Sequence, residues 1–383
     1  MKLKLIEKPS AENIGKPLQP CSCGSVAGSG RPVIIPKWAT GTYETVIGPV
    51  LSVSTALSRL DIWEHFKCRT TSYRNSYIVP PGLYAVGSPD TNSDVLVSAN
   101  YKYSFDCLRS ELSGMNAWLL VLDTKGINVW CAAGKGTFGT AELIRRIGSV
   151  KLDRVVAHKK VIVPQLGAPG ISACQVTKAT GFRVLFGPIA ATNLRSYIGA
   201  GYKASSAMRT MPFTCIDRLV LTPMEINPAM KKYPWFALAV LVFFGLHPSG
   251  ILFKEAVLGG MPFLLMGLLA VMSGAFLTPL LLPLIPFRSF ALKGWITGLA
   301  MVAAATFFIP GGRTPDTLLS AVTWLFFPAA SSYLALQFTG STTFTGMTGV
   351  NKELRASIPL YMTVCAVTVV LLAFYKINHW SGL

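Results

Sequence analysis

The pattern of apolar and polar positions changes near residue 232, where short alternating segments give way to long apolar runs. Before that point, short apolar runs predict strands, at 94–98, 117–122, 155–156 with 161–163, and 182–186. Between and after them, apolar residues recur at helical spacing, which predicts helices, at 103–113, 139–147, 171–179 and 190–198. Thr140 is the expected cap of the second of these helices.

Strands that alternate with helices are typical of a mostly parallel sheet with crossover helices. Residues 51–232 are therefore predicted to form an α/β, Rossmann-like domain. Residues 1–50 contain many glycines and prolines and are predicted to be an irregular N-terminal segment.

Residues 233–383 consist mainly of long apolar runs. The runs are 233–253, 256–287, 294–312, 317–351 and 356–375. Each is near or beyond the roughly 20 residues that a helix needs to cross a bilayer, so we predict an all-α transmembrane domain of five helices. None of the runs holds a charged residue, which favours a membrane anchor over a transporter, because transport pathways are typically marked by buried charges.

The flanks of these runs predict an orientation. No apolar stretch occurs near Met1, so no signal peptide is expected, and Lys231 and Lys232 directly precede the first run. The positive-inside rule then predicts a multi-pass protein of the cell inner membrane. The α/β domain would be cytoplasmic and the C-terminus outside.

The formal net charge of +18 raises the possibility of a nucleic-acid partner. The basic residues are scattered, however, and form neither a basic helix nor an aromatic RNA-binding signature. We therefore expect no nucleic acid, and expect a lipid bilayer with anionic headgroups as the partner of the basic charge.

The stretch "INVWCAAGKGTFGT", residues 127–140, carries the candidate chemistry. Its "GKGTFG" matches a nucleotide-binding pattern, but the strand that should directly precede it and the acid that should follow by about 20 residues are missing. Cys131 could be a nucleophile with His65 or His158 as its base, in a membrane thiol enzyme. It could also be a structural thiol.

A further interpretation makes the cysteine a metal ligand on a cofactor. A thiolate is a soft, strongly donating ligand. Ala132, Ala133 and Gly134 have almost no side chain, so a broad planar macrocycle could lie against a helix that contains them. The residues by themselves leave these alternatives open.

Within that stretch, "NVWCAAGK", residues 128–135, resembles the signature of the mercury-methylating corrinoid proteins. Four other segments are similar to the same family, namely "ANYKYSFD" (99–106), "LDTKGINVW" (122–130), "PQLGAPG" (164–170) and "GFRVLFGP" (181–188). The resemblance covers residues from about 40 to 375, including the order of a soluble domain followed by membrane helices.

The resemblance implies a corrinoid-dependent methyltransferase that moves a methyl group from methylated cobalamin to Hg(II), forming methylmercury. Cobalamin would bind base-off, with Cys131 as the lower axial ligand of cobalt in a cap helix. Many corrinoid proteins instead place a histidine on cobalt in a D-x-H-x-x-G motif, and none of the four histidines here lies in that pattern. The alternative is a corrinoid methyl carrier for another acceptor in one-carbon metabolism.

The resemblance also implies partners, namely a ferredoxin-like protein with two [4Fe–4S] clusters and a corrinoid or folate protein as methyl donor. A [4Fe–4S] cluster normally needs four cysteines, whereas Cys21 and Cys23 form only a pair. We therefore expect the electrons that regenerate the cofactor to come from another protein.

Several residues near Cys131 are predicted to contact the cofactor. Asn128 is expected to bond the start of the helix or a corrin amide, Trp130 to pack on the corrin or brace the helix, and Lys135 to pair with the phosphate of the nucleotide tail. The full predicted set is Asn128, Val129, Trp130, Cys131, Ala132, Ala133, Gly134, Lys135, Thr137, Gly139, Asn100, Tyr101, Gln165 and Gly167.

Overall fold

The structure is a computed structural model that describes residues 36–308, 316–342, 344–345 and 347–381. The chain divides into two compact units, which we call the α/β unit (Met1–Ile62 with Asn75–Arg209) and the helical unit (Trp63–Arg74 with Thr210–Leu383). The cysteine pair Cys21 and Cys23 lies outside the described residues.

The α/β unit contains a mixed sheet. Its strands are β1 (Ala39–Tyr43), β2 (Val50–Val53), β3 (Gly82–Val86), β4 (Val95–Ala99), β5 (Ala117–Leu122), β6 (Lys160–Val163) and β7 (Arg183–Phe186). They lie in the order β1-β2-β3-β5-β4-β6-β7. Strands β5, β4, β6 and β7 are parallel neighbours, whereas β3 is antiparallel to β5 and β1 is antiparallel to β2. The parallel part confirms the α/β prediction.

Helices cover both faces of this sheet. The first seven helices of the described chain are α1 (Arg59–Thr70), α2 (Lys102–Glu111), α3 (Val129–Lys135), α4 (Thr140–Ser149), α5 (Leu152–Val155), α6 (Ala173–Thr180) and α7 (Leu194–Gly199). Successive side chains of a strand point to opposite faces, so Leu120 joins a core with residues of α3 to α6, and Leu119 joins a core with residues of α2 and α7. The unit is thus a three-layer arrangement.

Three local predictions are wrong. Strand β1 lies inside the segment predicted to be irregular, because its five residues are too short and too polar to show as an apolar run. Val155 ends helix α5 instead of belonging to a strand, and it is buried in the core. Thr140 is the first residue of α4, where Gly139 is the cap.

A buried ionic cluster joins α1 to α2. The Lys102 ammonium lies 2.6 Å from Asp106 and 3.0 Å from Asp61. The Arg109 guanidinium lies 2.6 Å from Asp106 and 3.0 Å from Asp61, and it donates to two backbone carbonyls of the loop before α1. Two acids therefore face two bases, which keeps the cluster electrically balanced out of water.

Asp61 also stabilises the first turn of α1. Its carboxylate accepts hydrogen bonds from the Ser58 amide and hydroxyl, and its own amide donates to the Ser58 hydroxyl, which is a capping box. Burial raises the pKa of the Asp61 carboxyl, but the bonds from Ser58 and Lys102 outweigh burial and hold this pKa well below its ordinary value of 3.8.

We expect the α/β unit to lose stability in acid because of Asp61. A carboxyl whose pKa is depressed by folding stabilises the protein above its unfolded pKa, and this contribution disappears as the pH falls towards the folded value. Urea unfolding of the full-length chain in detergent should therefore show a falling free energy of unfolding below pH 3.8, its ordinary pKa. An Asp61→Asn variant should be less stable at neutral pH and should show a weaker pH dependence. An equal pH dependence in both proteins would contradict this account.

The second segment of the helical unit contains a long helix and a small hairpin. These are α8 (Cys215–Gly245), β8 (Leu246–His247) and β9 (Gly250–Ile251). The helices that follow are α9 (Phe253–Val271), a π-helical segment (Met272–Leu277), α10 (Thr278–Leu280), α11 (Phe290–Phe308), α12 (Thr317–Gln337) and α13 (Met347–Ser381).

Four helices among the described residues are long and apolar enough to cross a membrane. They are Phe253–Leu280, Phe290–Phe308, Thr317–Gln337 and Thr348–Trp380. The predicted run 233–253 is not among them, because α8 ends at Gly245 and the hairpin follows. The apolar part of α8, residues 233–245, is about 20 Å long and falls short of a hydrocarbon core of about 30 Å.

Polar groups are buried between the apolar helices. Helix α11 begins before the predicted run and so includes Lys293, which is buried and donates to the Leu282 carbonyl. The expectation of spans without a buried charge is therefore wrong for α11. The Ser331 hydroxyl donates to Ser273 at 3.1 Å and to the Gly294 carbonyl at 3.0 Å. Such hydroxyl bonds across closely packed small residues are typical of helix association in membranes.

Candidate functional site

The carboxyl ends of the parallel strands form one edge of the sheet. Strand β4 ends at Ala99, β5 at Leu122 and β6 at Val163, so the residues that follow them meet at this edge. The chain passes from β4 to β5 on one side and then to β6 on the other side. Ligands of open α/β sheets bind at such a reversal of strand order, outside the carboxyl ends.

Helix α3, which carries Cys131, starts at this edge. The Asn128 side chain accepts a hydrogen bond from the Cys131 amide at 2.9 Å, so Asn128 caps the helix. This is the first of the two roles expected for Asn128. The helix ends at Gly136, whose φ of 80° is in the left-handed region that favours glycine.

The two sides of α3 differ. Ala132 and Ala133 are buried in the core of the sheet face that α3 covers. Cys131 is partly exposed and Gly134 is exposed. Nothing lies within 4 Å of the place where a Cβ of residue 134 would be. The alanines therefore let the helix pack closely on the sheet, while the cysteine remains accessible.

Asn100 fixes the loop that leads into α3. Its side-chain oxygen accepts hydrogen bonds from the Thr124 amide at 3.0 Å, the Thr124 hydroxyl at 2.8 Å and the Gly126 amide at 2.9 Å. Its side-chain nitrogen donates to Asp123 at 3.3 Å. Asn100 is 3% exposed, so in this structure it acts as a positioning residue whose side-chain amide is engaged by the loop.

A second anchor comes from α4. The Asp123 amide donates to Glu142 at 2.9 Å, and Arg146 holds the same carboxylate at 2.8 Å. Burial raises the pKa of the Asp123 carboxyl, but hydrogen bonds and charge from Lys125 outweigh it, so this pKa lies below its usual range. The start of the loop is therefore bound both to β4, through Asn100, and to α4.

Helix α3 packs against the turn after β6, Gln165–Gly170. A Cβ on Gly170 would lie 2.1 Å from the Phe138 carbonyl and 3.1 Å from the Cα of Ala133. A Cβ on Gly167 would lie 2.4 Å from the Phe138 ring. The Thr140 hydroxyl accepts from the Ser172 amide at 2.8 Å, which fastens the same turn to α4. The glycines of "PQLGAPG" thus permit close packing against Phe138, which is fully buried.

The other predicted residues are distributed around this edge. Val129, Trp130, Thr137 and Gln165 are partly buried, and Lys135 is exposed. Tyr101 is buried and precedes α2, whereas Gly139 is buried and caps α4.

Sequence reasoning missed Thr124, Phe138, Glu142 and Gly170. For Gly170, the signal was present in the glycine spacing of "PQLGAPG". For Glu142, no signal was available, because its partner at Asp123 lies 19 residues away.

Two interpretations, Cys131 with His158 as its base and a dinucleotide site, lose support from the geometry. His158 bonds Ser93 at 2.9 Å and the Lys160 amide at 3.4 Å, which places it at the amino ends of β4 and β6, at the edge opposite to Cys131. It is not positioned to act as a base for that thiol. The "GKGTFG" segment joins two helices, α3 and α4, and not a strand to a helix, as a dinucleotide fingerprint requires.

Comparison with known proteins gives matches in the same region. Residues 58–197 match the family described as the CO dehydrogenase/acetyl-CoA synthase delta subunit. The chain is 32% identical over 135 residues to the acetyl-CoA decarbonylase/synthase complex subunit gamma of Methanopyrus kandleri, covering 34% of this chain and 29% of that protein. It is 26% identical over 184 residues to the corrinoid/iron-sulfur protein large subunit of Moorella thermoacetica, covering 45% and 41%.

The chain therefore spans between about a fifth and two fifths of the length of the curated relatives it matches. The family match takes in Asn100, Cys131 and Gly170 and ends within α7. Over this region, the chain is similar to subunits of the acetyl-CoA decarbonylase/synthase complex and to a corrinoid/iron-sulfur protein.

Proposed function

We propose that the α/β unit binds a corrinoid at the carboxyl edge of its sheet and that the chain transfers a methyl group in one-carbon chemistry. The observation that carries this proposal is the position of Cys131, accessible on a capped helix at the reversal of strand order. The relatives support it, since one of them is a corrinoid/iron-sulfur protein.

The residues of the site fit a corrinoid whose cobalt is held by sulfur. A bound corrinoid would supply a cobalt centre that accepts a methyl group and releases it to an acceptor. Cys131 would hold the cobalt through its sulfur, because a thiolate is a soft donor. Gly134, one turn further along α3, adds no side chain beside the thiol, which leaves room for a flat macrocycle.

The surrounding residues would hold the thiol in place. Asn128 fixes the start of α3 and Asn100 fixes the loop before it, so the thiol has a defined position before the cofactor arrives. Such pre-organisation lowers the cost of binding. Lys135 is exposed at the end of α3, where it would pair with the phosphate of a nucleotide tail.

We propose Hg(II) as the methyl acceptor and methylmercury as the product, on the resemblance of residues 128–135 to the mercury-methylating corrinoid proteins. The second candidate is a corrinoid methyl carrier for another acceptor. The matches to subunits of an acetyl-CoA decarbonylase/synthase complex support that candidate, since these relatives are not named for mercury chemistry.

We also propose an iron–sulfur partner, ferredoxin-like with two [4Fe–4S] clusters, and a corrinoid or folate protein as methyl donor. Within the described part of the chain, no three histidine, cysteine, aspartate or glutamate side chains are grouped to hold a metal ion. The electrons would then come from the iron–sulfur clusters of another protein that docks on this one.

The helical unit would anchor the protein in the inner membrane, with the α/β unit in the cytoplasm. Four candidate spans support membrane residence. An external C-terminus requires an odd number of crossings, so the side on which it lies depends on whether α8 crosses together with the four candidate spans.

Reconstitution of the full-length chain with methylcobalamin in detergent tests the proposed function. We expect one corrinoid per chain and a base-off absorption spectrum. We also expect at most about one methyl group transferred to Hg(II) per cobalt unless a methyl donor and a low-potential reductant are both added, because each transfer uses the methyl group that the cofactor carried and the chain is proposed to rely on an outside electron donor. Methylmercury is measured by mass spectrometry.

Failure to bind cobalamin would contradict the proposal as a whole. Binding with transfer to other acceptors, but none to Hg(II), would favour the methyl carrier. Repeated turnover without any reductant would contradict the proposed partner.

A further inference from the structure

Helix α1 exposes two large aromatic side chains. Trp63 and Phe66 are 53% and 55% exposed, whereas Cys68 is buried. A surface helix normally turns its apolar side to the core. Exposed aromatic residues that lie together mark a surface that another apolar phase covers.

The two exposed rings form one continuous patch, which we call the α1 patch (Trp63 and Phe66). Residues three and four apart lie on the same side of a helix, and the rings of Trp63 and Phe66 are stacked with their centres 5.5 Å apart. The Lys67 ammonium lies 5.6 Å from the centre of the Trp63 ring. A cation beside an apolar patch suits an anionic lipid surface.

Hydrogen bonds place the end of α1 against α8 within the helical unit. The Asn227 side chain donates to the Thr70 carbonyl at 2.5 Å, and Arg74 contacts the Met224 sulfur at 3.6 Å. The C-terminal end of α1 is thus fixed to the middle of α8, just before Lys231 and Lys232.

The packing of α8 against α9 locates the contact between α1 and α8 along the candidate span. A Cβ on Gly267 would lie 2.4 Å from the Phe236 ring, so that part of α8 runs beside the candidate span Phe253–Leu280. Lys231 and Lys232 are exposed, and charged ammonium groups stay at the border of the hydrocarbon core. Asn227 lies four residues before Lys231, about 6 Å away along α8, and Arg218, further in the same direction, donates to the carbonyl of Leu280, the last residue of that span. The attachment of α1 therefore lies between the two lysines and the end of the span.

We infer that α1 is an interfacial helix whose α1 patch inserts into the lipid headgroup region of the membrane that the helical unit occupies. The inference rests on the proposed membrane residence of that unit. Tryptophan and phenylalanine with flanking cations are typical of helices that lie in the interface plane. Such a helix would hold the chain at the membrane surface at a second place besides the candidate spans.

Photo-crosslinking in native membranes tests the inference. The photoreactive residue p-benzoylphenylalanine replaces Trp63 or Phe66 in the full-length chain, where a bulky aromatic group is already exposed. Asn92, exposed on a turn of the α/β unit, is the matched control. Val369, 65% exposed on α13, reports whether the candidate spans contact lipid. Adducts are identified by mass spectrometry after irradiation.

Phospholipid adducts are expected at positions 63, 66 and 369, at comparable yields, and none at 92. An adduct at 369 without adducts at 63 and 66 would overturn the inference while leaving membrane residence intact. Polypeptide adducts at 63 and 66 in place of lipid adducts would likewise overturn it, because the patch would then be a protein-docking surface. No lipid adduct at 369 would instead contradict membrane residence and the inference with it.

Discussion

A Cys131→Ala variant is expected to bind no cobalt through sulfur and to lose methyl transfer to Hg(II). The reason is that Cys131 is the thiol which the structure leaves accessible on the capped helix α3. Loss of an outer-shell partner of a metal costs about 10- to 100-fold in activity, and loss of the ligand itself should exceed this range. The measurements are the absorption spectrum of the cobalamin-loaded protein and the yield of methylmercury.

A matched control is Cys174→Ala, which removes another exposed thiol from α6. It should retain the wild-type spectrum and yield. Both variants should unfold at about the wild-type urea concentration, since neither side chain is a member of the buried cores. Full activity in the Cys131→Ala variant would refute the role of this cysteine, and equal losses in the two variants would point to a general effect of thiol removal.

A Gly170→Ala variant is expected to lose stability. The added Cβ would lie 2.1 Å from the Phe138 carbonyl, a distance that requires the backbone of the turn or of α3 to move. Overpacking of a closely packed core costs about 1–3 kcal/mol, and here the group that must yield is backbone. Because α3 rests on this turn, the variant should also bind cobalamin more weakly than the wild type.

Gly148→Ala is the control for this change. Gly148 lies in α4 with nothing within 4 Å of its would-be Cβ, and alanine in place of glycine in a helix stabilises by up to about 1 kcal/mol. Urea unfolding of the full-length chain should therefore move in opposite directions for the two variants. A Gly170→Ala protein as stable as the wild type would show that α3 does not pack tightly against this turn.

The candidate site could be predicted in part because its signals are local. The strands before Asn100 and Cys131 appear as apolar runs, and parallel strands bring their carboxyl ends to one edge. The cap by Asn128 joins residues three apart. These relations depend on periodicity and short spacing, both of which are visible in a single sequence.

The roles of Asn100 and of the glycines could not be predicted in the same way. Asn100 was expected to face a ligand, but its oxygen accepts bonds from residues 24 and 26 positions away. Gly167 was expected to line a pocket, but it makes room for Phe138. Each of these contacts exists because two separate elements pack together, and no spacing along the chain encodes that distance.

The sequence by itself determined the alternation of strands and helices in the α/β unit, the position of Cys131 after β5, and five apolar runs, of which four correspond to helices long enough to span a membrane. Tertiary structure decided that α8 stops short of a full apolar span, that Lys293 is buried, and that α1 turns its aromatic residues outward. The physical reason is that local periodicity fixes which element forms, whereas burial depends on which neighbour covers each side of it.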